Sequence, residues 1–312
     1  YFSRQPASGM SRRVVGVAAA AVAIGTYRAY THLSSGPDRL ARWQDRWDQK
    51  MTAWHLKEEH PLLRKYQKEL LGPQPRHDSP SPKKYNVIFP LCGSSVDLAA
   101  LALRGYTVYG VEGIRAAVDE LLGAFGQEGV SLPGADDHAR QEAAAGLRLR
   151  HASAPGEAGS DAPAVLKVVQ GDFFKLTRRA AAALGLPKFA AAFDRGAFVA
   201  VVPTDRSAYV AILAGLMAPE GRVLLVAVEH DEFSDGRLGP PFAVSEAQVR
   251  ELFGGDFEVE LLQREDRMEQ EPIWRKRGCT HFSEVAYLLT LRGIRPPLED
   301  SVPEDGRWRG AG

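Results

Sequence analysis

Tyr85-Asn86-Val87-Ile88-Phe89-Pro90-Leu91-Cys92-Gly93-Ser94-Ser95-Val96-Asp97-Leu98 opens the stretch whose reading decides the fold. Its first seven residues are an apolar run with β-branched and aromatic members, the pattern of a buried strand, and Cys92-Gly93-Ser94-Ser95 breaks it. Residues 96–103 then carry apolar side chains at helical spacing behind a Ser94-x-x-Asp97 cap signature, and Gly105 ends that helix. Residues 106–111 form a second apolar strand. Glu112 closes it, about twenty residues past the glycine turn, where a nucleotide-binding βαβ unit places the carboxylate that holds a ribose.

The turn between strand and helix lacks the G-x-G-x-x-G density that lets a backbone close around a pyrophosphate, which disfavours a dinucleotide. S-adenosylmethionine carries adenine and ribose without phosphate, so one close-approach glycine, Gly93, suffices. Asp97 in the first helical turn would repel an anion but not a sulfonium cation. Leu91, Gly93 and Glu112 are therefore the expected cofactor contacts on this unit.

Working outward, residues 116–125 read as a helix and 166–170 as a third strand, ended by Gly171-Asp172-Phe173-Phe174. Asp172 is placed to accept the adenine amino group, with Phe173 packing on the ring. The alternative for Asp172 is a turn cap. Residues 190–193 are the fourth strand, leading into Asp194-Arg195. Residues 207–217 read as a helix capped by Thr204 or Asp205, and 221–228 as a continuous apolar fifth strand. A helix over 245–253 capped by Ser245 follows, then two closing strands over 257–263 and 285–291. The fold class is α/β: a Rossmann-like doubly wound sheet, mostly parallel with an antiparallel closing strand. In such sheets ligands bind beyond the carboxyl ends of the strands, so Glu112, Asp172 and Arg195 converge on one rim.

The words Phe89-Pro90-Leu91-Cys92-Gly93-Ser94-Ser95-Val96-Asp97-Leu98 and Val108-Tyr109-Gly110-Val111-Glu112-Gly113 resemble the cofactor motif of the thiopurine S-methyltransferase family. Asp194-Arg195-Gly196-Ala197-Phe198, Gly239-Pro240-Pro241-Phe242, Trp43-Gln44-Asp45-Arg46-Trp47 and Thr52-Ala53-Trp54-His55 resemble further family segments in the same order. The resemblance implies a class I methyltransferase using S-adenosyl-L-methionine, with Trp43 and Trp54 covering the cofactor and Trp54 reaching the substrate cavity. It also implies cofactor or substrate contact for Arg195. Where this chain has Trp54 the family often has Phe, which bears on the size of the cavity. A family Arg near the carboxyl end has no assigned counterpart among Arg267, Arg275 and Arg277.

The 312 residues carry 39 Lys+Arg against 39 Asp+Glu, so no basic surplus points to nucleic acid. Cys92 and Cys279 form no C-x-x-C pair and no disulfide framework, which suits a reducing, cytoplasmic interior. Cys92 reads as a small turn residue. Residues 1–36 hold an apolar run flanked by Arg12-Arg13 and Arg28, shorter than a membrane span. It reads as a transit or signal-type segment over residues 12–28, a weak anchor, or a disordered tail. Residues 37–293 are the methyltransferase domain, mostly helical over 37–72, with a Pro-rich linker at 72–82 and a low-complexity surface insertion at 131–163. Residues 294–312 read as a disordered tail. Glu229-His230-Asp231 are adjacent along an extended chain and diverge, so no metal site is assigned. Residues 235–244 form a Gly/Pro-rich loop at the rim, placed as a substrate lid.

The expected reaction is methyl transfer to the sulfur of an aromatic or heterocyclic thiol. Positioning is its main lever, Arg195 is the catalytic charge that favours a thiolate, and no obligatory base is needed for acidic acceptors. The expected partner is a small-molecule thiol and the expected state a monomer. The alternatives are a halide, small-thiol or selenium/tellurium methyltransferase and, from another class, a non-catalytic cofactor-binding protein at a membrane.

Overall fold

The chain enters through three short helices, Ala41–Asp48 (α1), Pro61–Lys65 (α2) and Gln67–Leu71 (α3), rather than one mostly helical segment. Pro61 sits at the start of α2, where its missing N–H costs nothing, and the His60 ring caps the same helix by accepting from the Leu62 N–H at 3.2 Å. Between α1 and α2 the backbone is irregular, and residues 54–60 cross the sheet's rim as a strap. This computed structural model describes residues 39–72, 85–131, 142–156, 163–234, 236 and 239–293. The expectations for residues 1–36, for the linker beyond Gly72 and for 294–312 lie outside them.

Asn86–Phe89 (β1), Val96–Leu103 (α4) and Thr107–Glu112 (β2) build the expected βαβ unit. Ser95 caps α4 by accepting from the Asp97 N–H at 3.3 Å, one residue later than the sequence pattern implies. Gly110 lets the turn and helix close down on β2. A Cβ there would lie 2.6 Å from the Cys92 Sγ and 3.0 Å from Leu98. Arg115–Phe125 (α5), Gln127–Ser131 (β3), Arg148–Ala154 (β4), Ala164–Gln170 (β5), Arg178–Ala183 (α6) and Phe189–Arg195 (β6) follow. Arg206–Leu216 (α7), Met217–His230 (β7), Glu246–Phe253 (α8), Phe257–Asp266 (β8), Ile273–Lys276 (α9) and Phe282–Leu291 (β9) complete the described elements.

The strands form one sheet in the order β3-β4-β5-β2-β1-β6-β7-β9-β8. Its centre, β5-β2-β1-β6-β7, is parallel, while β3 and β4 at one edge and β9 and β8 at the other run antiparallel. The chain steps outward from β1 to β2 and β5, then returns to β6 on the other side of β1. That reversal opens the crevice where such sheets bind ligands. Alternation along the strands feeds two cores: Ile88, Tyr109, Val111 and Leu225 on one face, Phe89, Val108, Phe193 and Val226 on the other.

Two expectations are corrected. Part of the 131–163 insertion is sheet: β4 pairs antiparallel with β5 and β3. Within β4 only Ala152 is fully buried, and Arg150 answers Asp119 and Glu128 at 2.5 and 2.6 Å, so this half-exposed strand, one in from the sheet's edge, carries no apolar signature. Residues 132–141 and 157–162 of that insertion lie outside the described residues. Asp205 holds the N-cap position of α7 without a side-chain cap bond, because its carboxylate turns to Arg39 at 3.5 Å. No helix among the described residues is long and apolar enough to cross a membrane.

Candidate active site

At the end of β2 the Glu112 carboxylate turns back and takes one N–H on each oxygen, from Gly93 at 2.9 Å and Ile114 at 2.7 Å. One side chain thus ties the turn after β1 to the turn after β2. Burial pushes its pKa up and the surrounding backbone N–H groups pull it back. Leu91 and Gly93 both adopt positive φ, 44° and 56°, which folds the turn tightly enough for those N–H groups to face inward. Gly93 has a second constraint, since a side chain there would collide with the His55 imidazole. His55 Nε2 in turn accepts the Ser94 N–H at 3.2 Å, and burial lowers the His55 pKa. The Cys92 thiol is pushed well up by burial and by Glu112, which leaves it a turn residue rather than a nucleophile.

Beside this turn lies a cleft of about 440 Å³, counting the part open to solvent, lined by Leu91, Trp43, Asp172, Phe174, Arg39 and Asp205 among others. Asp172 accepts the Phe174 N–H at 3.0 Å, so it is a turn cap as well as a cleft residue. Its carboxylate also meets Arg39 at 3.3 Å, and the Arg39 guanidinium lies 4.0 Å over the Phe174 ring. Burial raises the Asp205 pKa against the opposing pull of Arg39. Phe173 does not line the cleft. It is fully buried, 4.9 Å from the Tyr209 ring, and the aromatic at the cleft wall is its neighbour Phe174. Consecutive residues of the short 3-10 turn point to different sides, and sequence spacing does not tell which faces the ligand.

Arg195, at the end of β6, donates to the Trp54 carbonyl at 2.6 Å. Its neighbour Asp194 faces the opposite side of the sheet, where it accepts from the Tyr209 hydroxyl at 2.6 Å and the Phe198 N–H at 3.0 Å. Burial lifts the Asp194 pKa to about 6. Trp43 and Trp54 meet edge to face at 5.6 Å, and Arg46 lies over both rings. Trp43 lines the cleft, whereas Trp54 is set back beside Arg195.

A sequence profile of the family described as Thiopurine S-methyltransferase matches residues 39–292. The chain belongs to this family. Thiopurine S-methyltransferase from Methylococcus capsulatus is 31% identical over 248 residues, covering 79% of this chain and 95% of that one. A probable thiopurine S-methyltransferase from Danio rerio is also 31% identical, over 268 residues, covering 83% and 99%. Among solved structures, an S-adenosylmethionine-dependent methyltransferase from Anabaena variabilis shares the fold, with a TM-score of 0.50 at 12% identity over 80% of this chain and 93% of that one. As a family member, the protein is an S-adenosylmethionine-dependent thiol methyltransferase.

The strap over the rim of this thiopurine S-methyltransferase family member was only partly legible. His60 is buried, its N–H donates to Asp97 at 2.7 Å, and its Nε2 lies 3.3 Å from Glu284 on β9. His55 was visible only as the end of the Trp54-His55 motif word. Neither His60, Glu284 nor Arg39 belongs to a local motif, because the partners of each are far away in sequence. The acid-His-acid run is dispersed as its adjacency implies: Glu229 pairs with Arg264, His230 stacks on Phe233, and Asp231 binds Thr280. The Gly-Pro-Pro-Phe loop is anchored by the Phe242 N–H, which donates to Val199 at 2.7 Å.

Proposed function

We propose that this protein methylates the sulfur of an aromatic or heterocyclic thiol, with the nucleoside held over β1, β2 and β5 and the acceptor over β6, β7 and β9. The observation that carries this reading is the Glu112 carboxylate, fixed by two backbone N–H groups next to the crevice where the strand order reverses. The donor set suits S-adenosylmethionine. Glu112 sits beside the cleft and Asp172 and Asp205 line it, so three carboxyl groups, the latter two paired with Arg39, offer hydrogen-bond acceptors to a nucleoside. Glu112 would hold the ribose, Asp172 and Phe174 the adenine, and Trp43 would cover them. When bound, the cofactor supplies an electrophilic methyl group on a positively charged sulfur.

The chain's own residues then have three tasks. The tryptophans and the 54–60 strap exclude water from the rim. Positioning the acceptor is worth on the order of 7–11 kcal/mol in effective molarity. The Arg195 guanidinium stabilises the thiolate; at about 4 Å and an effective dielectric of 20 such a charge is worth roughly 4 kcal/mol before desolvation is subtracted. The test is turnover of radiolabelled S-adenosylmethionine with a panel of aromatic thiols, hydrogen sulfide, iodide and selenite. Methylated aromatic thiols bear the reading out. Turnover confined to iodide or hydrogen sulfide moves the protein to the small-acceptor class, and binding without any product makes it a cofactor-binding protein.

A further inference from the structure

Arg195 and Glu284 share one face of the sheet at the same rim. Arg195 pairs with Val226 of β7, Val226 pairs with Ala286 of β9, and cross-strand partners point to the same side. Glu284 lies two residues from Ala286 toward the rim, so it falls on that face as well. The two strands stand two sheet spacings apart, about 10 Å.

The pairing of Glu284 is incomplete in a specific way. His60 Nδ1 accepts the Leu62 N–H, so the ring nitrogen facing Glu284 is Nε2–H, which donates to one carboxylate oxygen at 3.3 Å. Among the described residues the other oxygen has no hydrogen-bond donor. The side chain is 13% exposed at the rim. The charged groups around it are Arg195 and Arg267, which with His60 hold its pKa down against burial, and Glu265, its cross-strand neighbour, which is occupied by Arg267 at 3.3 Å.

We propose that Glu284 is the proton acceptor for neutral acceptors of the N–H thione type, in which a ring N–H sits next to a C=S group. This rests on the thiol-methyltransferase reading above and extends it to acceptors that do not arrive ionised. The sulfur lone pair forms the new S–CH3 bond, and the electron pair of the broken sulfonium S–CH3 bond stays on the departing thioether sulfur. The C=S π electrons settle on sulfur, the ring N–H bond pair becomes the C=N bond, and the proton goes to the free Glu284 oxygen and then to solvent. A weakly basic carboxylate is suited to this, because the ring N–H becomes strongly acidic only as the sulfur is alkylated. Arg195 faces the sulfur and Glu284 the nitrogen, one charge on each side of the ring.

The test compares pyridine-2-thione, a neutral N–H thione, with 4-nitrothiophenol, which is ionised at neutral pH and has no ring N–H. Glu284→Gln keeps an oxygen for His60 and removes the base. The expected result is a kcat/KM loss at least about tenfold larger for pyridine-2-thione than for 4-nitrothiophenol. Calorimetry on protein loaded with S-adenosylhomocysteine should show weaker binding of pyridine-2-thione by the variant. Equal losses for both acceptors, or no loss, overturn the assignment. If Glu284→Gln does not bind cofactor, Glu284→Asp, which keeps the charge and shortens the reach, is read by the same ratio. Failure of the unmutated protein to methylate either thiol overturns the functional reading and this inference together, a result distinct from failure in the variants alone.

Discussion

The two halves of the rim are built differently. On the nucleoside side, Glu112 is fixed by Gly93 and Ile114, nineteen and two residues away, within a single βαβ unit. On the acceptor side, Arg195 is held by a carbonyl 141 residues earlier in the chain, and Glu284 by a histidine of the same amino-terminal strap. A local unit is preorganised wherever the sheet is folded. A strap joined by long-range contacts can open while the sheet stays intact, since its loop-closure cost is borne by few bonds. The first arrangement suits a cofactor that must always bind the same way, and the second suits an acceptor that must enter and leave.

The sharpest way to break this comparison is Glu112→Ala. It leaves the Gly93 and Ile114 N–H groups unpaired, at about 1–3 kcal/mol each, and removes the ribose contact as well. We expect roughly a thousandfold loss of S-adenosylhomocysteine affinity by calorimetry. Affinity within threefold of the unmutated protein would show that the nucleoside side does not depend on this carboxylate.

Asp194 lies at the seam between the halves and gives a pH test. Its folded pKa of about 6 stands above the ordinary 3.8, so between these values the folded chain binds more protons than the unfolded one. Stability from this group therefore falls as pH rises from about 4 through 6, by about 3 kcal/mol in all. His55, with its lowered pKa, works in the opposite direction, so the readout is the difference between proteins. Urea unfolding of Asp194→Asn should lack the downward contribution between pH 4.5 and 7.5, and parallel pH curves would contradict the assignment.

Arg195→Ala should split the kinetics in the way the comparison demands. The lost guanidinium lowers turnover of ionisable thiols by roughly 30-fold once desolvation is allowed for, while cofactor affinity stays within about threefold. Equal losses in both would merge the two halves into one site.

How much of this was readable in the sequence follows the same divide. The βαβ unit showed itself because strand, cap, turn and carboxylate are consecutive, and each leaves a residue-type signature: the Ser94-Ser95 pair, of which Ser95 is the cap, Gly93 in the turn, and Glu112 at the strand end. Strand β4 was hidden because a half-exposed strand with Arg148, Arg150 and His151 next to the sheet's edge needs no apolar alternation. Phe173 and Phe174 are adjacent and chemically alike, so only the backbone path decides that Phe174 meets the cleft. His60 and Glu284 left no trace, since a lone histidine and a lone glutamate acquire meaning only when a fold of nine strands brings them together.

The smallest expected effect concerns Arg39, an amino-terminal residue that lines the nucleoside cleft. Its guanidinium uses the Asp172 carboxylate and the Phe174 face, the two groups proposed for the adenine, and it adds Asp205. Adenine and Arg39 therefore compete for the same acceptor and the same ring. Two partly exposed ion pairs and a cation–π contact sum to about 1–2 kcal/mol, part of which the solvated Arg39 recovers when displaced. Arg39→Ala should tighten S-adenosylhomocysteine binding by about fivefold, and added salt should narrow the gap between the two proteins because screening weakens the ion pairs in only one of them. Weaker binding by the variant would mean the opposite geometry, with Arg39 closing over the adenine and the amino-terminal segment serving both halves of the rim.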